Sequence, residues 1–432
     1  MTKTLQVITL GCSKNDVDTE HLLAQLPEDR YQVLPSDWQS DADILLINTC
    51  GFIGDAKEES VNAILSAVEK KAEGHIGTLG VFGCLSQRYL NELEKEIPEV
   101  DAWFGARDLS PIVRWLGCEP VPDAGRRIEK KLPYAYLKIS EGCDRRCSYC
   151  AIPFIRGNHH SVPIEKLVRE AQSLVDSGVR ELILIAQDST YYGLDIYGHR
   201  SLAELLRVLS MIEGLEWIRI HYSYPADFPE DVLQEMASNR KICKYLDIPL
   251  QHISDKVLDA MHRHVTGDWT RELISRLRRE VPGVVLRTTM IVGHPGEGSG
   301  EFDELLDFVR SAEFERLGAF TYSEEEGTWG AEHLKDDISE DEKHARLDAL
   351  MSLQSSISLK FNKSRVGKIE TVLVDDCVDG TLVCRSQYES PEVDGEILVK
   401  VPDGASPENF VGKFIKVKVI AADEYDLAAE VI

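Results

Sequence analysis

Three cysteines stand within eight residues of this chain: Cys143, Cys147 and Cys150 form a CxxxCxxC run, called the core triplet below. A loop this short lets three thiolates turn toward one soft metal centre. Structural zinc sites and ordinary electron-transfer clusters close their shell with four protein ligands, so three ligands imply a metal atom left open to another molecule. A zinc site completed by a distant residue is the alternative interpretation.

A second set of three cysteines, the N-terminal triplet, is spread over the first segment, and each member follows an apolar run. The triplet is Cys12 after residues 5–10, Cys50 after residues 44–48 and Cys84 after residues 78–83. Apolar runs separated by helical patterns indicate a parallel sheet, whose strand carboxyl ends lie at one edge. We therefore expect these thiols to converge on a second open metal centre, although cysteines packed as small apolar side chains would give the same pattern. Gly11, Gly51 and Gly83 adjoin them and predict tight turns beside a bulky inorganic centre.

The region after a Pro- and Gly-containing stretch carries six βα units. Its candidate strands are residues 134–140, 181–186, 217–222, 245–248, 284–290 and 317–322. Six units fall short of the eight that close a TIM barrel, so the pattern predicts an open, TIM-like (β/α)6 partial barrel. Its active site should lie at the strand carboxyl ends, and the core triplet follows the first strand as that geometry requires.

Polar residues near the ends of these strands are candidates for holding a nucleoside cofactor. The candidates are Tyr149, Gln187, Asp188, Gln251, Gly293 and Glu297. Each segment could equally be a turn or a helix cap. His221 and His252 are weaker candidates, because a histidine near a strand end is more often a hydrogen-bonded core residue than a catalyst.

From residue 363 onward, short strands broken by turns predict a small all-β barrel. The predicted strands are residues 369–375, 380–386, 395–401, 414–420 and 425–431. Modules of this kind often bind RNA, but residues 363–432 carry eight Lys or Arg against fourteen Asp or Glu, a net of 8 − 14 = −6. Because phosphate backbones are bound through Lys and Arg, this module is poorly suited to RNA.

The length of 432 residues argues for two or three domains, which we place at 1–120, 130–362 and 363–432. No stretch reads as an export signal or is long enough to span a bilayer, so we expect a cytosolic protein. Ten cysteines in that compartment favour metal or redox chemistry over disulfides. A net charge of −26 favours a basic macromolecular partner over nucleic acid, unless the excess acid only solvates the surface.

Six cysteines in this order, within three such domains, make the whole chain resemble the methylthiotransferase family of radical S-adenosylmethionine enzymes. That family joins an amino-terminal methylthiotransferase domain to a radical S-adenosylmethionine core and a TRAM domain. Residues 9–15 (TLGCSKN) and 245–252 (YLDIPLQH) resemble the branch that methylthiolates an aspartate of small-subunit ribosomal protein uS12. The branch that modifies an adenosine of tRNA usually has Gln-Met-Asn after its first cysteine, and its activity is the alternative within the family.

The resemblance implies two [4Fe-4S] clusters and S-adenosylmethionine. The core triplet would hold the cluster that cleaves S-adenosylmethionine to a radical able to take hydrogen from the aspartate β-carbon. The N-terminal triplet would hold an auxiliary cluster that carries the sulfur, which a second S-adenosylmethionine would methylate. The partner would then be uS12 or the ribosome rather than tRNA or a membrane. A non-catalytic iron–sulfur or zinc scaffold that binds ribosomal protein is the alternative from another class.

Replacing all three core-triplet cysteines by alanine should lower the iron content from about eight to about four atoms per chain, because one of two four-iron clusters is lost. Iron and acid-labile sulfide are to be counted after anaerobic reconstitution. Four further cysteines fit neither triplet and are predicted to be packing residues: Cys118, Cys243, Cys377 and Cys384. Cys377→Ala is therefore the control and should keep about eight irons. An unchanged count in the triple variant, or zinc in place of iron, would contradict the prediction.

Overall fold

The computed structural model describes residues 2–432. The first segment folds as a parallel sheet with strand order β2-β1-β3-β4-β5. The strands are β1 (Lys3–Thr9), β2 (Tyr31–Val33), β3 (Ala42–Thr49), β4 (Ile76–Gly83) and β5 (Ala102–Trp103). The helices are α1 (Ser13–Leu23), α2 (Gly54–Ala72), α3 (Cys84–Glu96) and α4 (Ser110–Trp115). Apolar side chains from the two faces of the sheet enter two separate cores, as expected for a sheet covered on both sides.

Two details of the first segment differ from the sequence-based expectation. The edge strands β2 and β5 were not predicted, because elements of three and two residues are too short to show an apolar run. Helix α3 begins at Cys84 rather than near residue 87, because Gly83 turns the chain directly from β4 into the helix with a φ of +105°.

The central region is an open six-stranded parallel sheet, in the order β13-β12-β11-β10-β9-β6. Its strands are β6 (Tyr134–Lys138), β9 (Glu181–Ile185), β10 (Trp217–Ile220), β11 (Ile242–Asp247), β12 (Val285–Val292) and β13 (Arg316–Thr321), with a separate two-stranded ribbon of β7 (Ser140–Glu141) and β8 (His160–Ser161). Within residues 2–432, β6 and β13 do not pair, which confirms the predicted partial barrel. The predicted first strand is interrupted at Ile139, and the third ends at Ile220, before Tyr222.

Helices cover one face of this sheet. They are α5 (Ile152–Arg156), α6 (Ile164–Asp176), α7 (Leu194–Tyr197), α8 (Leu202–Ser210), α9 (Glu230–Ser238), α10 (Asp255–Ala260), α11 (Gly267–Glu280), α12 (Ser299–Ala312), α13 (Trp329–His333) and α14 (Glu340–Lys363). Alternate strand residues such as Leu184 and Leu246 enter the large core beneath the helices. The other face receives α1 of the first segment, whose Val17 packs with Tyr136, Ile183 and Ile185. No helix in the described part of the chain has an apolar stretch long enough to cross a membrane.

The final segment is a closed five-stranded barrel in the order β14-β15-β16-β18-β17, as predicted. Its strands are β14 (Ile369–Val378), β15 (Thr381–Arg385), β16 (Ile397–Lys400), β17 (Phe414–Ala422) and β18 (Leu427–Val431). The loop between β15 and β16, residues 386–394, reaches into the central sheet and is called the plug loop. It brings side chains of the last domain to the face of the sheet that is not covered by helices of the central region.

Glu389 of the plug loop is buried among arginines. It accepts a hydrogen bond from Arg316 Nη2 at 2.9 Å and pairs with Arg365, while its second oxygen accepts from Ser386 Oγ at 2.7 Å. Although burial by itself raises the pKa of Glu389, Arg365 and Arg316 outweigh it and lower that pKa to about 2. The carboxylate is therefore charged at neutral pH and locks the last domain to β13.

Other plug-loop residues satisfy polar side chains of the central sheet. Ser390 Oγ lies 2.8 Å from His221 Nε2, and Tyr245 donates to Asp394 at 2.7 Å. Burial lowers the pKa of His221 to about 3, so the ring is neutral and acts as a hydrogen-bonding core residue. The last domain thus completes the polar face of the partial barrel.

Glu389→Ala should lower the free energy of unfolding by about 3–5 kcal/mol, because it leaves Arg316 and Arg365 buried beside an emptied site. Thermal unfolding of the full chain measures this as a loss of more than about 5 °C. The matched control is Glu408→Ala, an exposed glutamate of the same domain, which should stay within about 0.5 kcal/mol of the wild type. Because the folded-state pKa is depressed, the gap between wild type and Glu389→Ala should shrink as pH falls from about 4.3 toward 2. A pH-independent gap, or none, would contradict the assignment.

Candidate functional site

The N-terminal triplet converges at one edge of the first sheet. Strands β1, β3 and β4 are neighbours, and Cys12, Cys50 and Cys84 stand just beyond their carboxyl ends. Gly11 has a φ of +94°, and a Cβ there would lie 2.6 Å from Cys50 Cβ and 2.9 Å from its Sγ. Only glycine lets the chain carry Cys12 past Cys50 this closely. The tight turn that the sequence predicted at Gly11 is therefore confirmed.

Gly83 and Gly51 serve the same edge in different ways. Gly83 has a positive φ, as a tight turn requires, and a Cβ there would meet the backbone of Thr49 at 2.6 Å. Gly51 lacks a positive φ, and its small size instead lets the chain pass the backbone of Leu85, 2.6 Å from the position of a Cβ. Both glycines allow the segment that carries Cys50 to lie directly against the start of α3.

The core triplet lies in a loop held by backbone hydrogen bonds on both sides. Cys143 N donates to Gly157 O at 3.0 Å, and Ser148 N donates to Met261 O at 3.0 Å. Ser148 O accepts from Gly330 N at 2.7 Å. The loop between β7 and α5 is therefore fixed by α10 and α13, so its thiols are positioned before any metal arrives.

The two triplets supply only thiols, which are the protein ligands that iron–sulfur clusters take. Within residues 2–432, no group of three or more Cys, His, Asp or Glu side chains is arranged around one ion position. Burial raises the pKa of Cys84 to about 11 and that of Cys143 to about 12. These thiols stay protonated at neutral pH until bound iron displaces the proton.

Buried polar atoms without hydrogen-bond partners among the described residues follow every strand of the central sheet, at the edge that carries the core triplet; they are called the ring of unpaired polar atoms below. Each of the six strand-end loops contributes at least one, among them Ser148 Oγ, Gln187 Oε1, Ser223 Oγ, Gln251 Oε1, His294 Nε2 and Tyr322 OH. Buried polar atoms in folded proteins are normally hydrogen-bonded, so such a ring indicates a polar ligand. S-adenosylmethionine, with its amino acid, ribose and adenine parts, fits a site of this chemistry.

Three of the predicted cofactor contacts lie in or beside these strand-end loops. Gln187 and Gln251 each have a buried amide oxygen without a partner in residues 2–432, and Gln251 holds a φ of +74°. Tyr149 lies beside the ring of His294, with ring centroids 6.4 Å apart. Their contact with S-adenosylmethionine remains a prediction.

The other three predicted contacts are already engaged within the protein. Asp188 caps the turn at Thr190 and accepts from Arg145 Nε at 3.0 Å. A Cβ at Gly293 would lie 2.3 Å from Lys343 Cγ. These contacts explain in structural terms why Asp188 and Gly293 stand at these positions. Their contact with the cofactor is likewise a prediction.

Glu297, the sixth candidate, is also paired internally. It accepts from Gly293 N at 3.0 Å, from Arg346 Nη1 at 2.7 Å and from His252 Nε2 at 3.2 Å. The same contact accounts for His252 as a hydrogen-bonded core residue. These three partners occupy both carboxylate oxygens of Glu297, whose contact with the cofactor stays a prediction.

Two arginines that were not predicted lie against the core triplet. Arg263 Nη1 is 3.6 Å from Cys147 Sγ, and its guanidinium stacks over Tyr224 at 4.3 Å. Arg145 covers the same ring at 4.0 Å and keeps a buried Nη2 without a partner in residues 2–432. Cations here stabilise thiolates and can receive the carboxylate of an amino acid. Arg145 could have been found from the sequence, because Arg145 and Arg146 stand side by side inside the CxxxCxxC run.

Arg156 links the N-terminal triplet to the ribbon that precedes the core triplet, and no pattern in the sequence predicted it. It is 4% exposed at the end of α5, and its Nε donates to Cys84 Sγ at 3.3 Å. Its Nη2 donates to Asn15 Oδ1 at 2.6 Å, and its Nη1 pairs with Asp18 at 2.6 Å and with Glu141 at 3.2 Å. One side chain of the central region thus contacts the N-terminal triplet, helix α1 and the ribbon before the core triplet.

Lys138 closes this network from the end of β6. It pairs with Asp18 and, at 2.7 Å, with Glu141, which also accepts from Gln187 Nε2 at 2.6 Å. Although burial by itself raises the pKa of Glu141, Lys138 and Arg156 outweigh it and lower that pKa to about 2. Glu141 is therefore charged at neutral pH, and the network holds α1 against the partial barrel.

Three known sequence families match successive parts of the chain. The radical SAM superfamily matches residues 137–309, the uncharacterized protein family UPF0004 matches residues 4–105, and the TRAM domain matches residues 366–432. A Bacteroides fragilis protein named ribosomal protein uS12 methylthiotransferase RimO is 49% identical over 434 residues, covering 100% of this chain and 99% of the relative. A protein of the same name from Porphyromonas gingivalis is 51% identical over 430 residues, covering 99% of both chains.

Solved structures share the fold at low identity. The radical S-adenosylmethionine methyltransferase TsrM from Kitasatospora setae gives a TM-score of 0.56 at 14% identity, covering 94% of this chain and 84% of TsrM. The cobalamin-dependent S-adenosylmethionine radical enzyme OxsB gives a TM-score of 0.51 at 13% identity, covering 82% of this chain and 56% of OxsB. These likenesses confirm the predicted α/β fold class.

Arg156→Met should make the N-terminal triplet lose iron to a chelator at least about tenfold faster, because groups that hydrogen-bond metal ligands contribute about 10- to 100-fold to metal affinity. Iron release from the reconstituted full chain, followed by absorbance of the iron–chelator complex, measures the rate. Arg114→Met, at an exposed arginine of α4, is the control. Equal release rates in all three proteins would show that Arg156 does not support the metal site.

Proposed function

We propose that this chain, which belongs to the radical S-adenosylmethionine methylthiotransferase family, adds a methylthio group to the β-carbon of an aspartate in small-subunit ribosomal protein uS12. The observation that carries the proposal is the full-length identity of about half to relatives named for that activity. The family membership makes the chain an enzyme that uses S-adenosylmethionine and two [4Fe-4S] clusters.

The assignment of cysteines to clusters is part of the proposal. Cys143, Cys147 and Cys150 would hold the cluster that works with S-adenosylmethionine, because they adjoin the ring of unpaired polar atoms. Cys12, Cys50 and Cys84 would hold the auxiliary cluster. The domain limits at 1–120, 130–362 and 363–432 likewise remain predictions.

When bound, these groups supply one-electron removal of hydrogen from an unactivated carbon and the sulfur that replaces it. The residues of the chain position and shield that chemistry. Arg145 and Arg263 place positive charge beside the core triplet, where they would serve as counter-ions for the carboxylate of S-adenosylmethionine. Arg156 and Lys138 bind Asp18 and so hold α1, which follows Cys12, against the partial barrel; this contact would keep the two centres within reach of one substrate carbon.

Charge supports a protein substrate over tRNA. The chain carries a net charge of −26, and residues 363–432 carry −6, so a tRNA backbone would be repelled while a basic ribosomal protein would be attracted. We also infer that the enzyme works in the cytoplasm, where ribosomal proteins are found.

The reconstituted enzyme, given reductant, sulfide and S-adenosylmethionine, should replace one hydrogen of a uS12 loop peptide by a methylthio group. Tandem mass spectrometry should locate the group on the aspartate. The triple Cys→Ala variant of either triplet should give no product, and a peptide with alanine in place of the aspartate should stay unmodified. A parallel reaction contains unmodified tRNA. A methylthio group on tRNA and none on the peptide would overturn the proposal.

A further inference from the structure

Lys14 is a lysine whose charge has no counter-ion within residues 2–432. It is the second residue of α1 and only 8% exposed, yet it forms no ion pair and its ammonium makes no hydrogen bond with a described residue. Its Nζ lies 3.4 Å from the centroid of the Tyr222 ring. The attraction of a cation to an aromatic face is weaker than the hydration that a buried ammonium loses on leaving water.

Two carboxylates linked to Lys14 or to Tyr222 already have other partners. Asp18, one helical turn further along α1, is engaged by Lys138 and Arg156. Asp247, which accepts the backbone N–H of Tyr222 at 3.0 Å, is paired with Arg287 at 2.9 Å. Lys14 therefore has no carboxylate partner within residues 2–432. A buried lysine without an acidic partner is expected where a ligand supplies one.

Lys14 adjoins the N-terminal triplet and one strand end of the central sheet. It follows Cys12 by two residues. Its ammonium covers Tyr222, which stands two residues beyond the carboxyl end of β10 and next to Ser223, one of the unpaired polar residues at the strand ends. A substrate that reaches both proposed centres would therefore pass close to Lys14.

We propose that the Lys14 ammonium and the Tyr222 ring form the subsite that binds the side-chain carboxylate of the substrate aspartate. The proposal rests on the proposed function, because it assumes an aspartyl substrate. The aspartate carboxylate is bonded directly to the β-carbon, so holding the carboxylate at Lys14 fixes the reacting carbon between the centres. A buried cation also rejects the neutral amide of asparagine, because it would then keep no counter-ion.

The test compares peptide binding by the reconstituted full chain and its Lys14→Met variant. Methionine has nearly the length of lysine without its charge. The probes are a fluorescent uS12 loop peptide and the same peptide with asparagine for the target aspartate, followed by anisotropy. We expect Lys14→Met to raise the Kd for the aspartate peptide about 10- to 100-fold and to leave the Kd for the asparagine peptide within about twofold.

Two further variants separate the subsite from a general effect of charge or folding. Lys14→Arg, which keeps the charge, should retain most of the preference for aspartate. Lys95→Met removes an exposed lysine of α3 and should change neither Kd. Because removing an uncompensated buried charge does not weaken the fold, Lys14→Met should keep its iron content and unfold at no lower a temperature than the wild type.

The outcomes distinguish this proposal from the proposed function. If the wild type methylthiolates the aspartate peptide but Lys14→Met binds both peptides as the wild type does, the subsite is refuted and the function stands. Equal weakening of both peptides also refutes the subsite, since Lys14 would then serve cofactor or fold rather than the carboxylate. If the wild type neither binds nor modifies the aspartate peptide, both proposals are overturned.

Discussion

The charged contact between helix α1 and the partial barrel is the interaction on which the rest of the site depends. The proposed reaction uses two metal centres on one carbon and would need their separation held closely, although the proposed centres lie in different segments of the chain. Arg156 and Lys138 achieve this by binding Asp18 from the barrel side. Since Arg156 is almost fully buried, its ion pairs are little screened by solvent. A loss of either partner would leave a buried charge and release α1.

Contacts between domains also explain why the central region does not cover the second face of its own sheet. Parallel sheets are normally covered on both sides, yet the helices of this region cover only one. The first segment supplies α1 to the other face, and the last segment supplies the plug loop. Polar and charged residues such as Arg219, Tyr245 and Arg287 occupy that face because their partners arrive from the neighbouring domains. The three domains therefore form one functional unit.

The sequence predicted the elements whose signals are local. Cysteine spacing and adjacent glycines indicated both triplets, and apolar periodicity indicated the partial barrel and the terminal barrel. Arg156 could not be found in this way, because its partners Asp18 and Cys84 lie far away along the chain and an arginine alone has no pattern. Glu297 shows the converse: a polar residue after a strand has a local signal, but that signal did not reveal its buried partners Arg346 and His252, which give it a structural role beside the cofactor contact that stays a prediction. Pairing of charges depends on tertiary contact, which residue spacing does not encode.

The plug loop also constrains how the protein is made. Arg316 finds its carboxylate partner Glu389, and Arg219 finds part of its hydrogen bonds, in residues that are synthesised some seventy to one hundred and seventy positions later. Domains generally fold in order as they leave the ribosome, but this central domain cannot bury its charged face until the terminal barrel has been translated. The nascent chain therefore exposes this charged face until the last domain has been made. Completion of the polar face is accordingly a late step of folding that depends on the carboxyl-terminal residues of the chain.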